Sequence, residues 1–489
     1  MMQSKEDTTD QSNLSLKRVV GLGSAIFLVA GNIIGTGVFK KIVPMAASGL
    51  SEKYILVAWL FAGIVTMFGA FSISGLAKLT TEAGGSVEYL RLCYGNFVSF
   101  LFGWGNFTIF GSGAIAAVGF VFAQSFNSLL PVPNPFDSLK NISIGFIHPF
   151  ADSGIKILAI SVIALLTWLN YRGIKKGTRL NNLITTSKVL GILLLIVLGI
   201  FFSSSSNIID ESSTPVKTLE GISFISIFFA VMLNAFWAYD GFASLPALSA
   251  ELKNPKRNIP IAIITGVSVV LLLYVLINYA FMNSMPLHQL ASMGANKVAA
   301  IVVAESILGR AGNVIISVLI LLSTFGFLNV VILIYSRYYY RMAQENFFFK
   351  KASLVHPVYR TPSYALLYSM IWSCILVVSG SFDVLTDMVV FGGFVFYILL
   401  ALGLIKKKRK GIIKEKIPGY PVAPVLFILF VSIVLVSTFI HDPVRTLSGI
   451  ALILTGVPFY YFFKKRNLKN TATIKVKSDA VSTKEEIMK

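Results

Sequence analysis

Read for hydrophobicity alone, the chain alternates between long apolar stretches and short polar connections. Twelve apolar stretches stand out, at 19–48, 54–78, 96–126, 154–173, 182–203, 222–247, 260–283, 311–340, 363–380, 385–405, 422–441 and 446–463. A helix needs about 20 mostly apolar residues to cross the hydrocarbon core, so the pattern predicts twelve membrane-spanning helices. The polar ends, 1–17 and 464–489, read as solvated cytoplasmic tails. The first apolar stretch is too long for the core of a signal peptide and is expected to remain as a span.

Composition agrees with this class. Of the 489 residues, 55% are apolar and only 13% are charged, against about 25% charged in soluble domains. There is too little charge to cover several soluble domains, which excludes a soluble enzyme, a disordered chain and a fibrous protein. The net charge of +20 would suggest nucleic acid in a soluble protein. Here its distribution reads as orientation. With the N-terminus inside, 32 Lys and Arg fall in inside segments and nine in outside ones, which predicts that both termini are cytoplasmic. The run Lys406–Lys410 is then a topology signal or a lipid-head-group site, and no nucleic-acid partner is expected. Two cysteines, Cys93 and Cys374, form no disulfide framework. The isolated His148, His288, His356 and His441 give no metal-ligand spacing. No cofactor and no metal are expected.

Two spans carry sequence that resists a continuous helix. The first reads Gly31-Asn32-Ile33-Ile34-Gly35-Thr36-Gly37-Val38-Phe39, and each glycine costs about 1 kcal/mol in a helix interior. A small-xxx-small packing pair explains Gly31 and Gly35, but not Asn32, Thr36 and Gly37 beside them. The sixth reads Asn234-Ala235-Phe236-Trp237-Ala238-Tyr239-Asp240-Gly241-Phe242. An acid there costs about 2.5–3.5 kcal/mol on insertion, unless it meets water or a partner. An interfacial aromatic belt would explain Trp237 and Tyr239, yet apolar sequence flanks them on both sides. The two interrupted spans stand five apart, so they occupy corresponding places in inverted halves, a pointer to a transporter site at mid-membrane. A break exposes N–H groups at the start of one half-helix and C=O groups at the end of the other. The first attracts a carboxylate and the second an ammonium, the two charges of an α-amino acid.

At these residues the chain resembles amino-acid transporters of the amino acid-polyamine-organocation (APC) superfamily, most closely the L-type exchangers. Gly35-Thr36-Gly37-Val38-Phe39 is similar to the family's Gly-Ser-Gly-Ile-Phe element. Trp237–Phe242 is similar to its sixth-helix break. Glu251-Leu252-Lys253-Asn254-Pro255-Lys256-Arg257-Asn258-Ile259-Pro260 is similar to its connection between helices six and seven. Ser323-Thr324-Phe325-Gly326 matches the eighth helix; His356-Pro357 and Arg360-Thr361-Pro362 match the loop before the ninth. The resemblance covers roughly 17–465. It implies an all-α LeuT-type fold with inverted five-helix repeats over 18–203 and 222–405, and helices eleven and twelve over 422–463. It implies that the amides of Thr36, Gly37 and Val38 hold the substrate carboxylate. The carbonyls of Ile33, Phe236, Trp237 and Asp240 would hold the amine. Gly35, Gly111, Ser112, Gly113, Trp237 and Tyr239 would shape the pocket and gate. One departure stands out: Ala77-Lys78-Leu79 where the family has Ala-Glu-Leu.

Lys188 is the remaining intramembrane charge. The apolar run after it, Val189–Phe202, has 14 residues, about 21 Å of helix, short of the roughly 30 Å core. On geometry it is either a snorkelling lysine or a functional one. The resemblance places its ammonium where sodium-coupled relatives hold a cation, near Gly31 and Ser323, which implies sodium-independent exchange, with proton coupling as the alternative. No acid or base other than Asp240 stands out near the pocket, which favours a neutral amino acid. The rivals are a membrane enzyme, which lacks converging His, Glu or Cys, a channel, which lacks a filter, and an amino-acid sensor on the same fold. The outer loop 127–152 has no cysteine, so no disulfide-linked heavy subunit is expected. The expected state is a monomer or weak homo-oligomer in the plasma membrane.

Overall fold

The computed structural model describes residue 18 and residues 20–81, 84–143, 148–172, 177–202, 221–294, 297–359, 361–380 and 382–466. The expected tails lie outside the described residues except for 464–466, as does Arg360 of the loop motif. The described chain is helical, and its one β-type contact is a single bridge between Val20 and Leu252.

Nine helices among the described residues are long and apolar enough to cross a membrane: Leu22–Lys40, Glu52–Leu76, Asn96–Leu129, Ser153–Tyr171, Pro255–Ser284, Arg310–Gln344, Phe382–Arg409, Val422–His441 and Thr446–Arg466. The apolar segments Thr185–Phe201, Phe224–Tyr239 and Ser363–Ser379 coincide with the fifth, sixth and ninth expected stretches. Helices are the form hydrocarbon permits, because each satisfies its own backbone. A further short helix, Ala299–Leu308, folds between the seventh and eighth spans where the pattern showed only a connection.

The third helix is the centre of the bundle. Its apolar window is 89% buried, against 33% for the twelfth, and it packs on the fourth, eighth, ninth and tenth helices. The first helix packs mainly on the fifth and seventh. One end of the bundle gathers the basic connections. Lys253 N–H donates to Val20 O (2.9 Å), Lys406 Nζ to Cys93 O (3.2 Å) and Lys408 Nζ to Glu415 O (2.9 Å). At this end Lys78, the departure from the family pattern, donates to Lys256 O (2.7 Å). A carboxylate could not make that bond to a carbonyl, so the charge reversal changes the partner as well as the sign.

Candidate functional site

The first helix runs Leu22–Ile33, breaks over 34–36, and restarts as Gly37–Lys40. In the break the amides of Ile34 and Gly35 turn back onto Ala30 O and Ile33 O, both at 2.7 Å. The amides of Thr36, Gly37 and Val38 open the second half, where N–H groups have no carbonyl one turn earlier in their own helix. The Thr36 hydroxyl is buried and without a hydrogen-bond partner.

The sixth helix ends at Tyr239, and Gly241 takes φ +105°. The chain resumes as a 3₁₀ turn, Leu245–Glu251. The two breaks touch. A Cβ on Gly37 would lie 2.6 Å from Ala238 Cα, and one on Gly241 would lie 2.6 Å from Asn32 O. Each break therefore needs glycine because the other backbone fills the space. Asn32 Nδ2 donates to Gly241 O (3.1 Å) and meets Ser244 Oγ (2.5 Å), joining the segments through side chains as well.

The carbonyls released by the first break are taken up by two other helices. Lys188 Nζ, buried on the fifth helix, donates to Gly31 O and Ile34 O, both at 3.0 Å. The Phe327 ring of the eighth helix lies 5.4 Å from the same ammonium. Ser323, one turn away from Phe327, is buried with its hydroxyl unpartnered. Tyr274 of the seventh helix places its hydroxyl 2.9 Å from Ile33 O and 3.1 Å from Ala238 O, so one phenol spans both breaks. Ile33 O also accepts the Gly35 amide. That oxygen therefore already has two polar neighbours, one amide and one phenol. Tyr397 of the tenth helix donates to Asp240 Oδ1 (2.8 Å), giving this half-buried acid the partner its depth requires.

The other expected pocket residues divide by the side of the helix they occupy. Trp237 is 9% exposed and meets Phe382 of the tenth helix edge-on, centroids 6.2 Å apart. Tyr239 turns the other way. Its hydroxyl donates to Trp59 O (3.2 Å) on the second helix and its ring packs on Tyr274 of the seventh. In the third helix, a π-helical turn at Asn106–Phe110 precedes Gly111. The turn presents Asn106 O to the Tyr339 hydroxyl (2.9 Å) and Thr108 O to Trp372 Nε1 (2.8 Å). Gly111 sits beneath Tyr335 and Tyr339, and Gly113 beneath Val389. Ser112 is buried between them.

Tyr274 and Tyr397 were missed by sequence reasoning. The available signal was a phenol at mid-span, which needs a hydrogen-bond partner when buried. Tyr274→Phe is expected to remove the bond between the breaks at a cost of about 1–3 kcal/mol, because the one phenol proton shared by the two carbonyls is lost. The check is a lower thermal midpoint in detergent; an unchanged midpoint would show that the phenol does not hold the breaks together.

Among the described residues no group of three or more His, Cys, Asp or Glu is placed to hold a metal ion. A family model described as amino acid permease matches residues 20–470. The chain is 32% identical over 459 residues to the serine/threonine exchanger SteT of Bacillus subtilis (strain 168), covering 92% of this chain and 98% of that protein. It is 26% identical over 460 residues to the b(0,+)-type amino acid transporter 1 of Mus musculus, covering 93% and 90%. It is 27% identical over 468 residues to the large neutral amino acids transporter small subunit 2 of Homo sapiens, covering 94% and 82%.

Proposed function

The chain belongs to the amino acid permease family, and on that premise we propose that it carries neutral α-amino acids across the plasma membrane by sodium-independent exchange, through alternating access. One observation carries this reading: the amide-bearing end of one half-helix and the carbonyl-bearing end of another are in backbone contact at Gly37 and Ala238. A zwitterion with its charges on neighbouring atoms matches that pair of ends. The carboxylate is assigned to the amides of Thr36, Gly37 and Val38. The amine is assigned to the carbonyls at the end of the sixth helix, those of Phe236, Trp237 and Asp240, of which Trp237 O takes only the Asp240 amide at a long 3.4 Å, with Ile33 O of the first break beside them. Trp237 closes the site on the side of Phe382.

Lys188 supports the sodium-independent form. Its ammonium occupies the carbonyls that would otherwise coordinate a cation, Gly31 O and Ile34 O. The relatives named for serine/threonine exchange and for large neutral amino acids agree with a neutral substrate. The Asp240 carboxylate is held by Tyr397, which leaves its main-chain carbonyl to the substrate. The termini are assigned to the cytoplasm, on the end of the bundle that gathers the basic connections. The halves 18–203 and 222–405 are assigned as inverted repeats. Cys93 is buried and Cys374 half-buried, so assembly is assigned without a disulfide-linked subunit.

The test is counterflow in proteoliposomes against all twenty amino acids, with and without a pH gradient. Neutral amino acids are expected to exchange without any requirement for sodium or a gradient. Flux that demands the gradient would convert the reading to proton symport. Binding without flux would convert it to a sensor, and no binding at all would end the amino-acid assignment.

A further inference from the structure

Beyond the break, the first helix carries two consecutive lysines, Lys40 and Lys41, which count among the nine outside cations. The structure buries both, Lys40 at 3% and Lys41 at 0% exposure. Lys41 Nζ lies 3.2 Å from Asp383 Oδ1 and 3.4 Å from Asp387 Oδ1, bridging two carboxylates one turn apart at the start of the tenth helix. Lys40 Nζ donates to Gln124 Oε1 of the third helix (2.8 Å). The Phe382 ring lies against both ammoniums, 4.4 Å from Lys40 Nζ and 5.2 Å from Lys41 Nζ. The same ring also meets Trp237. One cluster thus fastens the outer half of the first helix to the third and tenth helices, and abuts the aromatic residue over the candidate site.

Separating a buried ion pair leaves the less hydrated partner stranded. Here that partner is Lys41, because the side chains of Asp383 and Asp387 are 34% and 24% exposed. A motion that opens the outer side by swinging Gly37–Lys40 away from the tenth helix must pull Lys41 off both carboxylates. The cluster includes none of the groups assigned to the substrate carboxylate or amine except through Trp237, whose ring bears on Phe382. A ligand shifts a conformational equilibrium only through its differential interaction with the two states. A substrate beneath Trp237 has a route to the cluster, and an empty site has no such lever.

We propose that Lys41, with Asp383 and Asp387, is a clamp that keeps the empty carrier from reopening outward and so makes transport an obligatory exchange. The proposal rests on the carrier reading and orientation given above. Lys41 is a positioning residue: it sets which reorientation is allowed and touches no substrate. Two fluxes separate these roles, exchange with amino acid on both sides and net uptake into vesicles that hold none, since only net uptake requires the empty carrier to reopen.

The experiment uses the full chain in proteoliposomes with labelled L-serine, L-threonine and L-leucine. Wild type is expected to exchange at least one of them with little net uptake. Lys41→Met should keep exchange within about threefold and raise net uptake tenfold or more. The charge swap Lys41→Asp with Asp387→Lys should return net uptake toward the wild-type level, which a loss of packing alone would not do. If Lys41→Met does not fold, Asp387→Asn, at the partly exposed side of the pair, must show the same rise. An unchanged ratio of net uptake to exchange in the folded variants, with wild-type exchange intact, overturns the clamp and leaves the carrier reading standing. Absence of exchange by wild type for every amino acid in the earlier counterflow series overturns both.

Discussion

Lys188→Ala is expected to abolish most transport, with a fall of roughly 30-fold or more in counterflow. The ammonium is buried and supplies the donors for Gly31 O and Ile34 O, two carbonyls freed by the break. Leaving a buried acceptor unpaired costs about 1–3 kcal/mol. For two acceptors that is about 2–6 kcal/mol, and each 1.4 kcal/mol is a factor of ten. Part of the loss should appear as misplacement of the Thr36–Val38 amides, because Lys188 fixes the segment just before them. The measurement is counterflow in sodium and in choline medium, beside a thermal midpoint. Uptake that matches wild type in rate and in its indifference to sodium would remove Lys188 from the site.

Gly37→Ala is expected to cost transport more than tenfold, whereas Gly35→Ala two residues earlier should leave most of it. The contrast follows from what each added methyl meets. At Gly37 the Cβ falls 2.6 Å from Ala238 Cα and 3.0 Å from Ala238 N, both backbone atoms; at Gly35 the nearest atom is Phe327 Cε2, at 3.5 Å, an ordinary contact. Overpacking of this kind costs about 1–3 kcal/mol in stability. Here the displaced parts are the two half-helix ends themselves, so alignment is lost along with stability. Paired thermal midpoints and counterflow for the two variants make the check. Equal behaviour of the two would mean that the breaks are not held at contact distance.

The legible parts of this site share one property: each is anomalous for its depth in the membrane. Three glycines with Asn32 and Thr36, an acid at position 240 and a lysine at 188 are all costly in a continuous apolar helix, so each announces itself. Tyr274 and Tyr397 did not, because an aromatic in an apolar run looks like packing until its hydroxyl is given a neighbour. Lys40 and Lys41 were hidden for the opposite reason. A charged pair near the end of an apolar stretch reads as the start of a loop, and only the position of the tenth helix shows that two aspartates cover it. The orientation of Tyr239 was equally closed to inspection, since Trp237 and Tyr239 lie two residues apart and point to different helices. In the third helix, the π-helical turn at Asn106–Phe110 shifts the register of everything beyond it. The faces of Gly111, Ser112 and Gly113 therefore could not be read from a regular helical period.

The sequence by itself determined that the chain lives in a bilayer, where its spans lie, and which two of them cannot be unbroken helices. These follow from the local cost of placing each residue in hydrocarbon, which depends on the residue and its near neighbours alone. Which groups complete the breaks was decided by the tertiary structure. Lys188 reaches Gly31 across 157 positions and Tyr274 reaches Ile33 across 241. At such separations, partnership is set by how the helices pack against one another, and the spacing of residues along the chain carries no record of it.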